Sequence, residues 1–232
     1  MKYIDSFETS KFRTKGNKSL FMHIDTIIKN DLLQIDLLHE AIINCDKIIQ
    51  NIEQNDCEDK DDLIDKYNLI RSFYDGNCRF LLLRVDFLVP YKYLFQKQDD
   101  WEYRFFVRRI YTLIHETQNG VLNFLGQIMN LLESLVGDKF IHYKEALKEL
   151  NKFIKENDAC LKKVRNVCEA HKDKNIHKQI TAIENISIKD SLNLIQDFYN
   201  KMSNVDESLF IILNELPRIT YNLSCHFQPF HK

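Results

Sequence analysis

Between Leu20 and Ile52 the residues Phe21, Ile24, Ile28, Ile35, Leu38, Ile42, Cys45, Ile49 and Ile52 recur in alternating steps of three and four, and Asp31 is the one polar break in the series. That spacing returns to one side of a helix turn after turn, whereas a strand would need period two. A long bundle helix with one stripe against a partner helix is therefore predicted. The rest of the chain agrees: only 5 Gly and 3 Pro occur in 232 residues, too little punctuation for the many turns of a β-rich fold.

The acidic stretch Asn55 to Asp62 has nothing to bury and ends the first helix, with Asp61 or Asp62 as the N-cap of the next. Leu63, Ile64, Tyr67, Ile70, Phe73 and Tyr74 carry that helix to a turn at Asp75-Gly76-Asn77. Cys78 to Gln96 reads as a buried helix that Pro90 kinks or restarts. Asp99-Asp100 caps a long helix running to Val136 and ended by Gly137, and Asp138 caps another through Phe140, Tyr143, Leu147, Leu150, Phe153, Ile154, Leu161 and Val164, close to His171. Lys172 to Ser187 reads as polar and irregular, and a last helix from about Ile188 stops at Pro217. The expectation is all-α: one domain over 1–232, a bundle of about six helices, with loosely ordered ends at 1–18 and 217–232. A chain of this size buries roughly two-thirds or more of its surface, and no composition shift divides it.

Several function classes drop out on residue pattern. The net charge is −2, so any nucleic-acid surface must be a local patch. Thr14-Lys15-Gly16-Asn17-Lys18-Ser19 lacks the first glycine and the preceding strand of a P-loop. His115-Glu116 lacks a second histidine, Asp36-Leu37-Leu38-His39 alone approaches a di-iron repeat, and the six cysteines (45, 57, 78, 160, 168 and 225) have no paired spacing for zinc. No metal or cofactor is expected. Met1 to Lys18 has no apolar core of a secretory signal, and no apolar run is long enough to span a bilayer, so reduced thiols, a cytoplasmic location and no membrane partner are expected.

Charge inside apolar sequence is more informative. Arg84 and Asp86 interrupt Phe80 to Val89, and Arg104, Arg108 and Arg109 interrupt the following helix. Buried charge must be paired, so an ion pair joining the Arg84–Asp86 segment to Arg104 or Arg108 is the ordinary expectation. Alternatively, Asp86 and Arg108 support a polar site. Phe87, Tyr91, Tyr93, Phe95, Trp101, Phe105 and Phe106 could line an apolar ligand pocket, but core packing accounts for such a stripe equally well.

The segment richest in chemistry is Lys162-Lys163-Val164-Arg165-Asn166-Val167-Cys168-Glu169-Ala170-His171-Lys172. It gathers a planar guanidinium suited to phosphate, an amide, and a histidine able to exchange protons near neutral pH. Those are the parts of a metal-independent ribonuclease, in which histidine moves a proton and Arg165 stabilises charge on phosphorus. Arg165-Asn166 followed after four residues by His171 resembles the Arg-x(4–6)-His motif of the HEPN (higher eukaryotes and prokaryotes nucleotide-binding) superfamily, over about the second half of the chain. The resemblance implies a helical bundle acting on RNA, with Arg165, Asn166 and His171 as catalytic residues; Asp86 and Arg108, as charges within apolar sequence, and Lys172, beside the histidine, are the candidate supporting residues. It also implies a homodimer and a protein partner such as an antitoxin or a nucleotidyltransferase-like protein, in a toxin–antitoxin or phage-defence setting. On one continuous helix Arg165 and His171 lie about 120° apart, so a break after Ala170 or a two-subunit site is required. The same residues also read as a plain helix C-terminus in favourable contact with the macrodipole, in which case the bundle is a non-catalytic interaction or dimerisation module.

Overall fold

The computed structural model describes residues 17–55, 59–96, 99–136, 140–166 and 176–225, with the side chains of 17–19, 118–119, 132–136 and 214–225 excepted. Every regular element among them is helical: α1 (Asn17–Gln54), α2 (Lys60–Tyr93), α3 (Asp100–Thr117), a π-helical turn (Gln118–Leu122), α4 (Asn123–Val136), α5 (Ile141–Arg165), α6 (Ile176–Glu184) and α7 (Ile188–Cys225). With α3, the π turn and α4 following one another as one rod, this is the expected all-α bundle. No helix among the described residues is long and apolar enough to cross a membrane.

The stripe on α1 is buried as its spacing dictates, and its innermost members fall every seventh residue: Ile24, Asp31, Leu38, Cys45 and Ile52 are all nearly inaccessible. This is the heptad seam of a helix packed lengthwise on a partner. The partner is α2, and three ion pairs fix an antiparallel register: Asp25 with Lys92 at 2.6 Å, Asp31 with Arg84 at 3.1 Å and Asp46 with Arg71 at 2.5 Å. Residue numbers rise along α1 as they fall along α2. On the other side of the molecule α5 packs on α3 and α7, around Ile110, Ile114, Leu150, Ile154, Phe198, Met202 and Val205.

Several expected boundaries move. Asp99 is an N-cap as expected, accepting from the amides of Trp101 and Glu102, both at 2.8 Å, while Glu102 accepts the Asp99 N–H to complete a capping box. Asp61 and Asp62, by contrast, sit inside the first turn of α2, where their charge favours the helix N-terminus, and Asp59 takes the N-cap in a left-handed conformation (φ 65°) without a side-chain cap bond. No turn interrupts α2 at Asp75-Gly76-Asn77. Gly76 is helical and serves close approach: a Cβ there would lie 2.6 Å from Leu125 Cδ2 and 3.0 Å from the Phe124 ring. Asn77, fully buried beside it, donates to the Phe73 carbonyl and accepts from the Tyr143 hydroxyl at 2.6 Å.

Prolines and polarity also misdirect. Pro90 does not restart a helix, since α2 passes through it and ends three residues later at Tyr93; the carbonyl it leaves unbonded belongs to solvent-exposed Asp86. Pro217 likewise does not stop α7, which continues to Cys225; its buried stripe of Ile195, Phe198, Met202, Val205, Leu209 and Ile212 lies before the proline. Within Lys172 to Ser187, residues 176–184 form α6 because Ile183, with Ile186 just beyond the helix, is buried. Gly137 and Asp138 lie outside the described residues.

Arg84 is 6% exposed and does not pair with α3. Its guanidinium meets Asp31 of α1 and Asp206 of α7, so three helices converge on one cation. The polar break in the α1 stripe is the counter-charge that the sequence required. Burial, together with the second carboxylate of Asp206, pushes the Asp31 carboxyl up to about 7 although Arg84 pulls it down.

Candidate functional site

Arg165 is the last residue of α5, following Lys162 and Lys163 in the same final turn. Basic residues are favoured there by the negative end of the helix. Arg165 is half-buried, and its Nε is enclosed without a hydrogen-bond partner among the described residues. Asn166, exposed, closes the helix by donating its backbone N–H to the carbonyls of Lys162 and Lys163. His171 and Lys172 lie outside the described residues. Asp86 is on the exposed face of α2. Arg108 is half-buried, donates from Nε to the Arg104 carbonyl at 3.2 Å, and lies 5.8 Å from the Phe105 ring centroid. Neither it nor Asp86 forms a described ion pair with Arg165.

A different histidine shares the surroundings of Arg165. His115, near the end of α3, is 5% exposed, and neither ring nitrogen makes a hydrogen bond among the described residues. Its Nε2 lies 3.5 Å from Asp158 Oδ1, while Asp158 Oδ2 is paired with Lys162 Nζ at 2.8 Å. Burial holds the His115 imidazole below its ordinary pKa; Arg165 and Lys162 push the same way, and Asp158 and Glu116 oppose them. The ring is therefore neutral at neutral pH, with one N–H donor and one bare nitrogen.

These groups belong to a polar seam between two helices. On α3, Thr112 and His115 are three residues apart; on α5, Asn151, Asp158 and Arg165 repeat every seven. Thr112 Oγ1 and Asn151 Oδ1 are also buried, without hydrogen-bond partners among the described residues. The seam ends where α3 gives way to the π turn at Gln118–Leu122, a rare geometry that recurs at functional sites. In sequence His115 stands out only as half of a His-Glu pair that lacks a second histidine, and otherwise reads as a surface or core filler. The available signal was its place three residues beyond Thr112 on the inner face of a helix otherwise filled by Val107, Ile110, Tyr111 and Ile114.

Among the described residues no group of three or more His, Cys, Asp or Glu side chains is placed to hold a metal ion. Cys45, Cys78 and Cys160 are free thiols; burial pushes Cys45 and Cys78 up to about 11 each, which leaves them poor nucleophiles. The chain matches no protein-family model, no curated protein and no solved structure.

Proposed function

We propose that this chain is a HEPN-like helical protein that binds or cleaves RNA by metal-independent acid/base chemistry at the C-terminal end of α5. The observation that supports it is the cationic last turn, in which the buried Nε of Arg165 has no acceptor among the described residues and Lys162 and Lys163 are exposed beside it. A phosphodiester supplies the missing acceptor. In the reaction His171 takes the 2′-hydroxyl proton, the 2′-oxygen bonds to phosphorus as the bond to the 5′-oxygen breaks, and the departing oxygen receives a proton. Arg165 stabilises the charge gathered on the phosphoryl oxygens, Asn166 binds the substrate and Lys172 adds positive charge. A homodimer in the cytoplasm, held in check by a protein partner such as an antitoxin, completes the proposal.

The test is incubation of a labelled single-stranded RNA with purified protein in excess EDTA. We expect products ending in 2′,3′-cyclic phosphate, formed at least a hundredfold more slowly by Arg165→Ala and His171→Ala, in line with the usual contribution of acid/base catalysis of about 10²–10⁴. Equal and negligible binding and cleavage by the parent and both variants would overturn it.

A second function, a non-catalytic module that docks another protein, is favoured by a separate observation. Val89 and Tyr93 on α2 and Trp101 and Phe105 on α3 are each between 39% and 50% exposed, with Tyr93 stacked on Phe106 at 5.3 Å. Trp101→Ser with Phe105→Ser would abolish partner binding in that case and leave RNA cleavage intact.

A further inference from the structure

The unsatisfied groups around His115 have a direction. Leaving a buried donor without an acceptor costs about 1–3 kcal/mol, and an orphan in a native protein calls for an explanation such as a bound water or ion. Here the Nδ1 of His115 and the Nε of Arg165 are both enclosed and, among the described residues, without a hydrogen-bond partner, on two helices packed against each other. Lys162, with its side chain 54% exposed, stands at the rim. Arg165 and Lys162 face the ring together with the carboxylates of Asp158 and Glu116, and Asp158 is engaged by Lys162. Among the described residues no acceptor meets the Nε of Arg165 or the Nδ1 of His115.

We infer that the corner formed by His115, Lys162 and Arg165 is a binding site for a single phosphate-class oxyanion, which it takes up together with a proton on His115. The inference shares Arg165 with the RNA proposal and rests on it only for the choice of phosphate as the anion. Arg165 donates through Nε, the ring N–H of His115 donates from the floor, and Lys162 turns from Asp158 to the incoming charge. The groups facing His115 are Arg165, Lys162 and Asp158 from α5 and Glu116 from its own helix. In the empty site burial and the two cations disfavour the imidazolium. A bound dianion reverses that balance, so binding strengthens as pH falls.

The test follows the ring resonances of His115 by NMR in the full chain, assigned by their loss in His115→Gln, at constant ionic strength. Inorganic phosphate and the dinucleotide UpU are titrated separately, and the pH series uses sulfate, whose charge is constant over that range. We expect saturable shifts of the His115 signals, an upward move of its titration on adding sulfate, and binding about tenfold or more weaker in Arg165→Gln and Lys162→Gln, as for loss of a charge-assisted hydrogen bond. Saturation by UpU at the lower concentration assigns the site to RNA, and saturation by phosphate alone assigns it to free phosphate; both support an oxyanion site. Lys162 is exposed enough that its replacement should not unfold the chain. Equal shifts from chloride, no shift, or undiminished binding by both variants would overturn the inference. RNA cleavage without a phosphate response sinks this site and leaves the RNA proposal standing, and a phosphate response without RNA binding does the converse.

Discussion

The molecule contains two buried polar clusters, and they are built in opposite ways. At the junction of α1, α2 and α7, Arg84 is surrounded by two carboxylates, so acceptors exceed cations. At the seam of α3 and α5, His115 and Arg165 hold enclosed nitrogens without a hydrogen-bond partner among the described residues, and the nearby carboxylate of Asp158 is engaged by Lys162. A cluster whose charges are answered by other helices ties those helices together. The cluster whose donors lack described acceptors is the one for which we infer a ligand. Burial alone does not separate the two, because Arg84 and His115 are almost equally hidden, and both clusters hold polar atoms without a hydrogen bond of good geometry; the ion pairs separate them, with two carboxylates in range of Arg84 and none among the described residues for Arg165.

The comparison breaks first at Arg84. Arg84→Met leaves Asp31 and Asp206 without a cation and should destabilise the fold by about 3–5 kcal/mol in urea unfolding, whereas replacing all three residues by apolar ones of similar volume should be near neutral or stabilising. Next in size is the pH response of Asp31. Its folded pKa of about 7 lies above the unfolded value of 3.8, so the folded state binds the extra proton and stability falls as pH rises between those values. The loss should be on the order of 2–4 kcal/mol, and Asp31→Asn should flatten that slope in thermal unfolding across the same range.

At the seam the signs change. His115 has a lowered folded pKa, so its contribution is lost as pH falls below the ordinary histidine range. His115→Phe, which removes the unpaired nitrogens, should raise stability at pH 6 by about 1 kcal/mol while abolishing the response to phosphate. A loss of stability would instead show that the imidazole is a structural member like Arg84. The smallest effect is expected for Lys162→Ala, which removes a half-exposed ion pair within one helix and should change stability by less than about 0.5 kcal/mol.

What could be read from sequence follows the range of the forces involved. The α1 stripe, the Asp99 cap and the long rod from Asp100 to Val136 are set by residues within a few positions of one another, and all were legible. Gly76 misled because its local meaning, a turn, is overruled by distant contacts, Leu125 and Phe124 needing a bare backbone there; Pro217 misled because a proline removes one backbone donor and kinks a helix as readily as it ends one. Ion pairing was legible as a requirement but not as an address. Arg84 demanded a carboxylate, and Asp31, the polar break in the stripe, supplied it from a segment 53 positions away. At the candidate site the motif drew attention to Arg165 and His171, while the neighbour that the fold brings to Arg165 is His115, fifty positions earlier and flanked by nothing that marks it.

The sevenfold spacing on α1 has a consequence for how the chain finds one arrangement. Ile24, Leu38, Cys45 and Ile52 are similar enough that sliding α1 by a heptad, about 10 Å along its axis, would still set apolar residues against apolar residues. Asp31 prevents this. Seven positions either side of Arg84 on α2 stand Asn77 and Tyr91, neither of which offers a positive charge to a buried carboxyl. Asp31 thus works as an index mark on an otherwise repetitive ruler, and among the slipped alignments open to the hairpin it leaves a single one in which the mark is read.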